Sequence, residues 1–305
     1  MEAENDSMNE MRGAYPASRA RRGATRAWIA FGIVAALLAV GLGVGWMIGR
    51  SDRRSGSSSS SDRDSERREK GEASGRSESG GSCETITLPG GVKMEMVYVE
   101  PGSFMMVMGE GNEKHRERVT KGFWLGKYEV TQAQWKAVME ENPSEFKGAD
   151  LPVENVSWND CQKFLEKLNA LPEVKKSGWR YRLPTEKEWE YACWAGSTGV
   201  YCRLANGMEI TENTLGEVAW YDYNSEGKTH SVGQKKPNAF GLYDMHGNVW
   251  EWCEDLYEAG SSDRVHRGGG WHDDFGSCWA GARGCTHCPD PRSNSLGFRL
   301  AASQE

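Results

Sequence analysis

The chain lacks any surplus of basic charge. Its 305 residues carry a formal net charge of −7, so nothing global marks nucleic acid as a partner. No internal repeat is evident, which excludes a solenoid or propeller. Apolar residues are scarce, at 38%, but the shortage is local. From 51 to 82 the sequence is SDRRSGSSSSSDRDSERREKGEASGRSESGGS, with Ala73 its only apolar side chain. Such a segment cannot build a core, and its alternating charge signs fit a solvated tether across residues 50–82 better than a binding arm.

Residues 27–49, AWIAFGIVAALLAVGLGVGWMIG, lack charge altogether. As a helix they would extend about 35 Å, enough to cross a bilayer with some tilt. Trp28 and Trp46 stand near the two ends, where interfacial tryptophans belong. A buried core helix fits less well, because a spacer follows rather than more domain. A cleaved signal peptide also fits less well, because the run is long and has no obvious small-residue cleavage site. Arg12, Arg19, Arg21, Arg22 and Arg26 in the basic segment 1–26 slightly outnumber Arg50, Arg53, Arg54 and Arg63 beyond the span. The positive-inside bias then puts the short N-terminus inside. The expectation is a single-pass membrane protein held in the bilayer by residues 27–49, with its C-terminal domain extracytoplasmic.

Residues 84–305 are long enough for one domain with its own core, and all but two of the 13 tryptophans lie there. ETITLPGGVKMEMVYVEPGSF reads as two short strands around a proline–glycine turn. In FWLGKYEVTQAQWKAVMEEN, Phe123, Leu125, Tyr128 and Val130 alternate as in a strand, and Thr131 can cap a helix carrying Trp135 and Val138. Ser157 before Asp160, and Thr185 before Glu188, repeat the capping pattern, with Phe164, Leu165, Leu168, Trp189 and Ala192 facing inward. Downstream are only short apolar runs cut by Gly, Asn and Pro. The fold class is α+β, with few helices, short strands and long loops. Cys161, Cys193 and Cys253 sit in apolar strings and read as buried, inert thiols.

Several segments carry chemistry. In DMHGNVWEW, Asp244 and Glu251 bracket a Gly-Asn turn. They either supply oxygen ligands to a hard cation or cap and pair with basic neighbours. His246 reads as a packing residue. Cys285 and Cys288, in CTHC, are a weak signal alone. With His272, His287 and Cys278 they could form a zinc or copper site, or a disulfide could join Cys285 to Cys288 or one of them to Cys278. A last absence concerns HDDFGSC (272–278) and GCTHCPDPRSNS (284–295), which contain no Glu, Lys, Met, Gln or Trp. Every residue present there has a codon ending in C or T, which is what random replacement of adenines in asparagine codons leaves behind. An ordinary polar loop would also favour Gly, Asp, Ser and Asn.

The strings MVYVEPGSFMM, YEVTQAQW, PVENVSW, YRLPTEKEWEYACWAG, PNAFGLYDMHGNVWEWCED, RGGGW and NSLGFRLAA, in this order, resemble the formylglycine-generating enzyme (sulfatase-modifying factor) family. The resemblance implies a variant of the C-type lectin fold. It also implies calcium on the side chains of Asp244 and Glu251 and the carbonyls of Gly247 and Val249. In that family two cysteines hold Cu(I) for conversion of a substrate cysteine to formylglycine, because carboxylates are poor ligands for this soft ion. The matching serine and first cysteine are Gly270 and Asp273 here, and Cys278 alone remains. A copper-dependent oxidase of sulfatase-type cysteines is therefore the alternative function, with Cys278 its catalytic candidate.

The frame RVHRGGGW…CWAGAR…NSLGFRLA is similar to the variable proteins of diversity-generating retroelements. That resemblance implies a diversified ligand-binding region at residues 267–300. Its candidate contacts are His272, Asp273, Asp274, Phe275, Ser277, Trp279, Cys285, Thr286, His287, Asp290, Ser293 and Ser295. Short polar side chains with aromatic anchors on a rigid frame have the chemistry of antibody loops. The favoured expectation is thus a membrane-anchored, non-catalytic display protein that binds extracellular protein or glycan.

Overall fold

A computed structural model of the chain describes residues 82–108, 113–286 and 290–304. The expected span 27–49 and the tether lie outside the described residues. Among the described residues no helix is long and apolar enough to cross a membrane.

The elements follow in the order β1 (Cys83–Thr87), β2 (Lys93–Val99), β3 (Gly102–Met108), β4 (Glu113–Val119), β5 (Phe123–Gly126), α1 (Gln132–Met139), α2 (Trp158–Ala170) and α3 (Pro172–Ser177). Then come β6 (Trp179–Arg182), α4 (Glu186–Trp194), β7 (Trp250–Leu256), β8 (Arg264–Arg267), β9 (Arg283–Thr286), β10 (Leu296–Gly297) and β11 (Ala301–Gln304). This is the expected α+β pattern, with helices early and short strands and loops late. β1, β2, β5, β11 and β6 form one sheet in that spatial order, and β10, β7, β8 and β9 form a second. β3 and β4 make a separate antiparallel ribbon.

Three helices start where the sequence places their caps. Thr131, Ser157 and Thr185 each accept from the backbone N–H three residues on, while Gln134, Asp160 and Glu188 reach back to the cap N–H. Each box satisfies two donors that the helix itself leaves unpaired. The strand expected to continue through Val130 stops at Gly126. Beyond it the Val130 N–H bonds to Phe298 O and its carbonyl accepts from Val153, which draws the chain toward β10 rather than along the sheet.

The helices seal the first sheet with aromatic rings. Trp135 stacks on Phe164 at 5.3 Å, and Phe298 meets both edge-on. A second cluster gathers Trp189, Leu125, Val265 and Ala301. Cys161, Cys193 and Cys253 are fully buried, and burial pushes all three thiols up, as inert core thiols should behave. A third cluster, around Tyr201, Cys202, Leu215 and Cys278, lies beneath the C-terminal loops.

Candidate functional site

The segment 244–252 is the keel of the site. Gly247 adopts a φ of 120°, and a side chain there would strike the Trp220 carbonyl, so only glycine fits. Asn248 donates to Glu129 and to the His230 carbonyl and accepts from the His230 N–H. Glu251 takes a bidentate pair from Arg299 at 2.6 and 2.7 Å and a third bond from Trp189 Nε1 at 2.6 Å. Both charges are fully buried, so removing either partner would strand the other. For Glu251, the expected alternative of pairing with a basic residue is therefore realised.

Two features bear on calcium. Glu129, Asp244 and Glu251 are all buried around the one guanidinium of Arg299, and Asp244 Oδ1 has no hydrogen-bond partner. Burial raises Asp244 to about 6, and burial with the neighbouring carboxylates raises Glu129. The unpartnered Asp244 Oδ1 is a buried oxygen acceptor of the kind a hard cation takes. Glu251 could join only by sharing itself with Arg299. Among the described residues no three His, Cys, Asp or Glu groups converge as a metal-holding set.

The donor set does not fit Cu(I). Cys278 is fully buried, and its thiol is pushed up by burial first and then by Asp273, Asp274 and Asp222. A thiol held protonated is a poor ligand. Asp273 stands at the position of the family's first copper-binding cysteine. Its Oδ2 accepts from Trp250 Nε1 at 2.7 Å and from the Gly270 N–H at 2.9 Å. A side chain at Gly270 would press within 3.1–3.3 Å of Ser295, Asp273 and Trp250. His246, fully buried, uses both ring nitrogens on backbone. Nε2 accepts from the Cys202 N–H and Nδ1–H donates to the Cys278 carbonyl, and burial lowers its pKa to about 4. It packs, as expected, and holds the loop above it.

The expected contact residues divide. His272, Asp274, Phe275 and Asp290 are exposed, with Phe275 45% accessible, and Ser277 and Ser293 are half-buried. Three others belong to the frame. Asp273 is committed to the two bonds above. Ser295 is buried and bonded to Ser293, and Trp279 wedges between two core clusters. The backbone of Cys285 and Thr286 lies in β9 opposite Val265 and Arg264; His287 and Cys288 lie outside the described residues. Trp271 is a scaffold residue, its Nε1–H donating to the Asn294 carbonyl and its ring edge-on to Phe146.

Sequence reasoning missed the loop 219–225, AWYDYNS. It flanks the 271–277 loop and bonds to it twice, through Asp222 N–H to Asp273 O and Ser225 Oγ–H to Trp271 O. Its tyrosine, aspartate and asparagine content was the available signal. A groove of about 720 Å³ beside α2 and β6, lined by Gln162, Asn169, Trp179 and Arg182, shares no residue with these loops.

Comparison with known proteins places this arrangement. Residues 87–304 match the sulfatase-modifying factor enzyme 1-like domain. The chaperone protein LppX of Paenibacillus barcinonensis is 34% identical over 230 residues, covering 59% of this chain and 79% of the relative. The inactive C-alpha-formylglycine-generating enzyme 2 of Bos taurus is 32% identical over 209 residues, 65% of this chain and 64% of that protein. Among solved structures, Treponema denticola variable protein 1 superposes with a TM-score of 0.63 at 32% identity, over 72% of this chain and 98% of that one. The chain belongs to the sulfatase-modifying factor enzyme 1-like family and is similar in sequence and fold to a variable protein.

Proposed function

We propose that the protein is a non-catalytic ligand-recognition protein that displays the loops of residues 267–300 on a rigid lectin-like frame and binds extracellular protein or glycan. In this reading residues 27–49 anchor it in the bilayer with the domain outside, and the loop sequence is diversified. The observation that carries the reading is the division of labour at 270–277. Asp273, in the place of a copper-binding cysteine, fastens the loop base, while His272, Asp274 and Phe275 beside it point their side chains to solvent. Binding residues carried on a loop that a hydrogen-bonded frame holds still lose little freedom on association. The relation to a variable protein supports the same reading. Calcium at Asp244, when bound, would supply a structural brace under this frame.

The test screens the full chain and its H272A/D274A/F275A variant on peptide and glycan arrays. Expected is loss of the wild-type ligands with a melting temperature close to wild type, since exposed substitutions move stability by about 0.5 kcal/mol or less. Truncation of Phe298, by contrast, costs roughly 3–5 kcal/mol. An unchanged ligand set, or unfolding of the loop variant as severe as that of F298A, refutes the proposal.

A further inference from the structure

Tyr223 is 86% exposed, far more than any other large apolar or aromatic side chain of the described domain. A ring so bare contributes little to the core. Its ring neighbour is Tyr221, 6.2 Å away and inclined by 27°. The backbone beneath the two rings is pinned. Asn224 accepts from the Tyr221 N–H and donates to the Ala219 carbonyl, and the Ser225 N–H closes the turn onto Tyr221 O. The turn is also tied to the recognition loop through the Asp222–Asp273 and Ser225–Trp271 bonds, while Tyr201 Oη–H holds the Phe275 carbonyl from below. The tyrosines and Phe275 therefore belong to one preorganised face.

The exposed carboxylates of that face lack a basic side-chain partner. Asp222 and Asp274 are exposed, and among the described residues no lysine or arginine forms an ion pair with them or with Asp273. His272 lies 3.6 Å from Asp273, and Lys235 rests on the Trp220 ring at 3.7 Å with its Nζ–H donated to the Gly216 carbonyl.

We infer that Tyr221, Asp222 and Tyr223 form a fixed half of the recognition face, and that this face takes a cationic protein segment. A lysine or arginine head would lie over the tyrosine rings with Asp222 and Asp274 as counter-charges. Rings flanked by carboxylates attract a cation twice, through the ring quadrupole and through the charge. A neutral glycan could use the rings but gains nothing from the surplus charge, and an anionic partner is repelled. The inference rests on the recognition reading above and adds to it a partner chemistry and residues outside 267–300.

The test measures binding of the full chain to a lysine-bearing glycine–serine peptide, to its glutamine counterpart and to a neutral oligosaccharide. Expected is binding of the lysine peptide alone, weakening as salt rises. Y223A should weaken it about three- to fivefold, the size of a surface cation–π contact, without lowering the melting temperature. D222N/D274N should erase the preference for lysine over glutamine. Equal binding of the two peptides, preference for the oligosaccharide, or wild-type affinity in Y223A overturns the inference. If H272A/D274A/F275A changes the array ligands while Y223A and D222N leave them untouched, the recognition reading stands and the composite face falls. If neither set changes them, the recognition reading itself falls.

Discussion

Asp273→Ala separates frame from surface within two adjacent residues. Asp273 holds Trp250 Nε1 and the Gly270 N–H through one oxygen, and its side chain is 24% exposed. A hydrogen bond to a charged group contributes roughly 1.5–3 kcal/mol, and partial access for water moves each of these two toward the lower end. The expected loss is about 2–3 kcal/mol. Asp274 is exposed and bonds only to Ser277, one turn away, so D274A should cost about 0.5 kcal/mol. For a domain of this size each kcal/mol moves the melting temperature by about 2–4 °C. D273A should therefore melt about 4–12 °C below wild type, and D274A about 1–2 °C below. Asp273→Asn keeps one acceptor oxygen and should fall between them. Thermal unfolding followed by tryptophan fluorescence reads all three. Coincident melts for D273A and D274A refute the assignment of Asp273 to the frame.

Other outcomes follow from the buried groups. His246 has its pKa lowered to about 4; between that value and about 6.5 the unfolded chain binds the proton and the folded one does not. Its contribution, about 3 kcal/mol, is complete above pH 6.5 and lost as the pH falls toward 4. The melting temperature of H246N should accordingly change less than that of wild type between pH 7 and pH 4; parallel profiles count against the buried neutral imidazole. EDTA should lower the melting temperature of wild type and added calcium restore it, while D244N should show no response; a wild type indifferent to calcium removes the cation. Mass spectrometry of a sulfatase-type peptide incubated with the protein, Cu(I) and oxygen should show the cysteine unchanged, and gain of an aldehyde would reinstate the oxidase.

The parts of this molecule that were legible in the sequence are those fixed over three or four residues. Thr131, Ser157 and Thr185 announce their helices because a capping box is local chemistry, and Cys161 and Cys193 sit among the apolar neighbours that bury them. The site depends instead on partners far apart in the chain. Trp250 lies 23 residues from Asp273, and Glu251 lies 48 from Arg299. No spacing rule distinguishes Asp273, which is tied to Trp250, from Asp274, which is exposed and bonds only locally to Ser277; both are aspartates in a polar loop. The loop 219–225 escaped for the same reason, since its link to residues 271–277 is made only by tertiary hydrogen bonds. The motif strings carried the frame, and the loops' bonding had to be seen in three dimensions.

The position of β11 has a consequence for how such a protein tolerates rewriting. This strand, Ala301–Gln304, is translated after residues 267–300, yet it lies between β5 and β6 and pairs with both. A stop codon or frameshift anywhere in the preceding stretch deletes an interior strand and leaves the paired edges of two others open. Such a chain cannot close its sheet and is left to proteolysis. Codons ending in C or T include no stop, so substitution among them introduces none before β11. An intact C-terminal strand thus certifies that the whole loop region before it has been read through, because a chain cut short upstream lacks the strand that completes the sheet.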